Sequence, residues 1–206
     1  MGTEYPAKMA GVNNAFDASV GPYHIAILNV DATVLAAGYN YYGELGCGYS
    51  GGGQSLVATV QKKTANGQAV LSGITSVAAG SHHTVMNVYE YTGNPTATPG
   101  NPGGEIIPTE RYFTNTVMSS GYGSYGQMGN DSTSSTNVFP VKALSSDKKT
   151  HLTGVAAVAA DTYSSAALLK DGTIRAWGYG SYGQLDFASR ARSLRSRPPS
   201  MPLRQP

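Results

Sequence analysis

The chain has 206 residues, 40% hydrophobic and only 13% charged, with 26 Gly and 14 Tyr, a length for one domain or slightly more and a composition that predicts strands and turns, an all-β protein. Its formal charge of +2 is set by its last 17 residues, which hold Arg190, Arg192, Arg195, Arg197 and Arg204; residues 1–187 carry 9 basic against 12 acidic side chains. A body near −3 excludes nucleic-acid binding by the folded part, because that affinity rests on clustered Lys and Arg.

In chain order, EYPAKMAG (4–11) reads as the last strand of a preceding unit. SVGPYHI (19–25) then carries a His landmark at His24, Asp31-Ala32-Thr33-Val34 reads as a hairpin tip entering a strand, and GYNYYGELG (38–46) reads as a tight turn. SLVATVQK (55–62) closes this first unit, about residues 12–62. The second unit, about 71–144, opens with LSGITSVAAG (71–80) and repeats the landmark in AAGSHHT at His83. Its tip is expected at Thr114-Asn115-Thr116-Val117, its turn in GYGSYGQMG (121–129) and its last strand in NVFPVKAL (137–144). The third unit, 152–187, runs LTGVAAVAAD, AADTYSS with Ser164 at the landmark, Asp171-Gly172-Thr173-Ile174 and GYGSYGQLD, and stops short of its own last strand. The distance from landmark to turn, measured to Gly43, Gly126 and Gly183, is 19, 43 and 19 residues, so the middle unit holds an insert, 88–113. Self-similarity at a near-constant period marks a repeat array, and four short strands per unit are what one propeller blade needs. Residues 188–206, rich in Arg and Pro without alternation, are expected to be disordered.

VAAGSHHT, KDGTIRAWG and SYGQLD together resemble the RCC1 (regulator of chromosome condensation) repeat, and the resemblance covers about residues 4–187. It implies blades of a β-propeller; about three units imply a partial or open ring, whose uncovered edges invite self-association. The sequence departs from the repeat where Asp161 and Asp186 replace Gly, where Ser164 replaces His, and where only Trp177 keeps the aromatic before Gly178.

The recurring residues read as scaffold. Gly38, Gly121 and Gly178, with Gly43, Gly126 and Gly183, allow tight reversals. Tyr42, Tyr125 and Tyr182 offer a flat apolar body with a hydroxyl handle. His24 and His83 recur in register, which packing predicts and catalysis, needing a residue once, does not. No Gly-x-Ser-x-Gly elbow is present and Asp31 and Asp171 read as turn formers, so no catalytic residue is expected. Cys47 is alone and the histidines lack a carboxylate or Cys cluster, so neither disulfide, metal nor cofactor is expected. No apolar run approaches the roughly 18 residues of a membrane span. The candidate binding element is the insert, flanked by Tyr89, Tyr91, Arg111, Tyr112 and Phe113, since inserts in repeat proteins emerge on one face and Tyr and Arg anchor interfaces. The expected function is a non-enzymatic scaffold that binds a protein partner through its loops. The resemblance also raises guanine nucleotide exchange on a small GTPase, and propeller-type enzyme inhibition is a further alternative. Low charge and the LTGV-xAVAAG wording are similar to repeat proteins of bacterial surface or secreted type.

Overall fold

A computed structural model describes residues 5–91 and 113–185. They form thirteen strands and, among them, no helix. The first sheet runs β1 (Ala15–Val20), β2 (His24–Asn29), β3 (Val34–Tyr39) and β4 (Gly53–Thr59), each antiparallel to the next. A separate hairpin follows, β5 (Gln61–Thr64) and β6 (Gly67–Val70). The second sheet is β7 (Ile74–Ala79), β8 (His83–Tyr91), β9 (Phe113–Gly121) and β10 (Asn137–Lys142). The third is β11 (Val155–Ala160), β12 (Ser164–Leu169) and β13 (Ile174–Gly178). All three begin alike: the first pairing of each carries a register shift two residues in, at Ala15/Asp17, Ile74/Ser76 and Val155/Ala157.

The sheets pack face to face through alternating side chains. On β8, Met86 and Val88 join Ala26, Leu28, Val34, Val60 and Ile74 in the core between the first and second sheets. Val85, one step out of phase, joins Val117, Leu152, Val155 and Ala167 in the core between the second and third, with Trp177 packed against it. Period-two alternation lets one strand fill two cores. Each fully buried Val or Leu contributes roughly 1.5–3 kcal/mol, so these two layers hold the array together.

Three expectations change. Thr114, Asn115, Thr116 and Val117 are not a hairpin tip: they lie inside β9, whose pairing with β8 continues to Tyr91↔Phe113. Buried Asn115, opposite Tyr89, donates through Nδ2 to Asn87 Oδ1 (3.2 Å), so what reads as turn chemistry is a diagonal cross-strand hydrogen bond. Residues 5–14 hold no strand. The strand read through Lys62 ends at Thr59, and Ala65-Asn66 turns the chain through the unforeseen β5–β6 hairpin, whose second strand opens at Gly67 with φ 123°. The tail from residue 186 lies outside the described residues, as does the interior of the insert, Arg111 and Tyr112 included.

Candidate functional site

At one end of every sheet the chain places aromatic rings by the same local device. Gly38, Gly121 and Gly178 sit at φ 117°, 106° and 103°, where a Cβ would come within 2.5 Å of the carbonyl oxygens of Tyr23, His82 and Tyr163 respectively. Those carbonyls accept from the next residue along, Tyr39 N (2.9 Å), Tyr122 N (2.7 Å) and Tyr179 N (2.9 Å). Glycine therefore lets one aromatic residue dock its backbone on another. Three residues later the turn delivers a further ring, Tyr42, Tyr125 or Tyr182, whose N–H donates to Glu44 Oε2, Gln127 Oε1 or Gln184 Oε1 at 2.9–3.0 Å. The Glu or Gln side chain thus closes its own turn.

The result is three rings per sheet: Tyr23, Tyr39 and Tyr42; His82, Tyr122 and Tyr125; Tyr163, Tyr179 and Tyr182. The third ring of one sheet touches the first two of the next. Tyr42 meets His82 at 5.5 Å and Tyr122 at 4.8 Å, and Tyr125 meets Tyr163 at 5.0 Å and Tyr179 at 5.1 Å. Tilted and edge-on packing at these separations is the favoured geometry of aromatic pairs. An unbroken band of rings crosses three sheets and stays partly in water: Tyr23 is 54% exposed, Tyr125 46% and Tyr182 87%. Where the band passes the third sheet it borders a cleft of about 320 Å³ lined by Tyr125, Asp161, Thr162, Tyr163, Tyr179 and Tyr182.

Beneath the band lie the landmark histidines. His24 Nε2 bonds Thr84 Oγ1 (2.8 Å) of the second sheet, and that hydroxyl donates to the Glu44 carbonyl (2.7 Å). His83 Nε2 bonds Ser165 Oγ (2.9 Å) of the third sheet, which donates to the Gln127 carbonyl (2.9 Å). Trp177 Nε1 donates to the same Gln127 oxygen at 2.9 Å. Burial drives both imidazoles down, each to about 4, helped by the neighbouring ring charge of His82 for His24 and of His24 for His83, so both are neutral pins between sheets. One junction departs from the pattern: Glu44 stands where the other turns have Gln, and His82 where the other sheets have Tyr. Buried Glu44 turns Oε1 to His82 Nδ1 at 3.3 Å, and burial raises its carboxyl above the usual carboxylate range.

The described flanks of the insert lie at the other end of the second sheet. Tyr89 and Tyr91 lie on β8 and Phe113 on β9, where Tyr89 and Phe113 stack at 4.9 Å. Eight strand steps separate Tyr91 from His83, roughly 26 Å. Sequence reasoning counted Tyr42, Tyr125 and Tyr182 as scaffold and missed Tyr23, Tyr39, His82, Tyr122, Tyr163 and Tyr179. The signal was present as an aromatic residue before each landmark and a Tyr after each of Gly38, Gly121 and Gly178. Among the described residues no group of three or more His, Cys, Asp or Glu could hold a metal ion, and no helix is long and apolar enough to cross a membrane.

Residues 155–184, spanning β11 to the third Gly-Tyr turn, match the Regulator of chromosome condensation (RCC1) repeat. Among solved structures, human WBSCR16 superposes with a TM-score of 0.59 at 16% identity over 84% of this chain and 35% of that one. Yeast RCC1 (Prp20), solved bound to Kap60, gives 0.55 at 18% identity over 82% and 33%. Prp20p from Saccharomyces cerevisiae, described together with its binding properties to Gsp1p and histones, gives 0.50 at 18% over 82% and 34%. The chain spans about a third of the length of the structures it matches, and its three sheets are blades of a partial RCC1-type β-propeller.

Proposed function

Starting from a partial propeller that carries an RCC1 repeat, we propose that the protein is a non-enzymatic binding module that docks a protein partner on its tyrosine face. One observation carries this reading: nine rings from three blades, eight Tyr and His82, form a single continuous, partly exposed surface. Tyr combines large contact area with low rotamer entropy and a hydroxyl for hydrogen bonding, which is why it anchors interfaces. The face is poor in charge, so contact there costs little desolvation of ions. The landmark histidines are committed to the junctions and are not free for proton transfer. That Prp20 was solved bound to Kap60 supports protein docking as a use of this fold.

The test replaces the exposed rings Tyr23, Tyr125 and Tyr182 with Ser and compares partner capture with that of the parent chain and of a chain lacking residues 92–112. Partners lost from the Ser variant and kept by the insert deletion are the expected result. Partners kept by the Ser variant defeat the reading. Accelerated nucleotide release from a small GTPase in the same preparations would replace docking by exchange.

A further inference from the structure

The junction between the first and second blades shows what fills the outer corner of a boundary. There β10, the outermost strand of the second blade, packs against β5 of the hairpin that follows the first. The next junction has the same frame: Gln61 N donates to the Gly46 carbonyl at the first (2.8 Å), and Leu144 N to the Gly129 carbonyl at the second (2.8 Å). Yet where the second junction should hold an outermost strand it has a cleft of about 200 Å³. Leu144, Ser145 and Ser146 line one wall and Arg175, Ala176 and Trp177 of β13 the other. Among the described residues no strand pairs with the outer edge of β13, which leaves a row of backbone donors and acceptors open to a further strand.

The sequence supplies an occupant. The core of β10 is FPVK at 139–142, and residues 5–8 read YPAK: aromatic, proline, small apolar, lysine. Proline fits only at the edge of a sheet, which is where β10 uses Pro140. Residues 5–8 are exposed, with Tyr5 at 71%. The stretch set as far beyond Gly183 as β10 lies beyond Gly126 is a poor rival, since it reads LRSRPP, with two Arg, two Pro and no alternation.

We propose that residues 5–8 of a second copy of this chain add to β13 as its fourth strand and seat in this cleft, so that the protein associates head to tail. Such a contact is heterologous and builds chains or rings, the smallest ring being two copies that exchange these segments reciprocally. In β10, Val141 faces Ser119 and Lys142 faces Met118; the equivalent register sets Ala7 opposite Ala176 and Lys8 opposite Arg175. Like charges directly opposite weaken a strand pair, and salt screens them. Association should therefore strengthen as salt is raised.

Analytical ultracentrifugation of the full chain over a wide concentration range tests this. Concentration-dependent assembly is expected. It should be lost in Ala7→Pro, which removes a strand donor from an exposed segment without touching a core, and reversed by a synthetic peptide of residues 5–13. Lys8→Glu should tighten assembly about two- to fivefold, and adding Arg175→Glu in the same chain should cancel the gain. A monomer at every concentration, or assembly indifferent to Ala7→Pro and to the peptide, overturns the proposal, as does a Lys8→Glu chain that assembles no more tightly. No tyrosine of the band is altered, so this result stands apart from partner docking.

Discussion

His24 of the first blade and Thr84 of the second meet at 2.8 Å, Nε2 to Oγ1, and the Thr84 proton is already committed to the Glu44 carbonyl at 2.7 Å. The imidazole must therefore be the donor, with its proton on Nε2. His83, Ser165 and Gln127 repeat the relay one blade on. Removing the Ser165 hydroxyl leaves the His83 donor without its acceptor, while the Gln127 carbonyl keeps Trp177 Nε1 as a donor. Ser165→Ala should destabilise by about 1–3 kcal/mol, the usual cost of a buried donor without its acceptor, read as a lower denaturant midpoint with unchanged slope.

The same pins make the fold sensitive to acid. Both histidines are held neutral, with folded values near 4 against 6.5 unfolded. The unfolded chain thus binds protons first, so this contribution is complete above pH 6.5 and is lost as pH falls toward 4. Glu44 has the opposite sign: its value is raised by burial, so protonating it as pH falls favours the fold. Two imidazoles against one carboxylate should leave a net decline. A chain carrying His24→Gln and His83→Gln keeps an N–H donor at each site, and its midpoint should change less between pH 7 and pH 4.5.

Glu44→Gln restores the residue of the other two turns. The amide oxygen can still accept from Tyr42 N, and the amide N–H can donate to His82 Nδ1, without a buried charge. Stability at pH 7 should rise by about 1 kcal/mol, with the gain shrinking as pH drops and the parent carboxyl becomes neutral. A loss at pH 7 would show that the ionised Glu44 is supported by its neighbours.

Glycines differ sharply in what a methyl group would meet. A Cβ on Gly80 would lie 2.5 Å from the Asp161 carbonyl of the next blade and from the His83 ring, and one on Gly21 would run into the Gly80 carbonyl. Gly53 has a strand conformation with open space around its Cβ. Gly80→Ala should cost about 3 kcal/mol or more through a displaced blade, while Gly53→Ala should stay within about 0.5 kcal/mol of the parent chain. Thermal unfolding of the two variants side by side separates these outcomes.

Much of the architecture was readable because turns announce themselves: Asp31 and Asp171 each bond the backbone and hydroxyl of a Thr two residues on. Where the same letters sat in other surroundings the reading failed. Asn115 became a strand residue because the pairing of β8 with β9 runs on past it to Tyr91↔Phe113. The tyrosine face was harder. That Tyr42 touches His82 and Tyr122 depends on how one blade is rotated against the next, which no spacing along the chain specifies. The substitution of Glu44 and His82 together shows the same thing, since each is an isolated oddity until the packed junction brings them to 3.3 Å.

Every relay described here links a blade only to its immediate neighbour, so cohesion is passed along the array as through a row of couplings. The second blade is clasped on both flanks, and its strands β8 and β9 bury Val85, Met86, Val88 and Val117 completely. Amide protons there should be the slowest in the molecule to exchange with heavy water, while the two flanking blades fray outward from it.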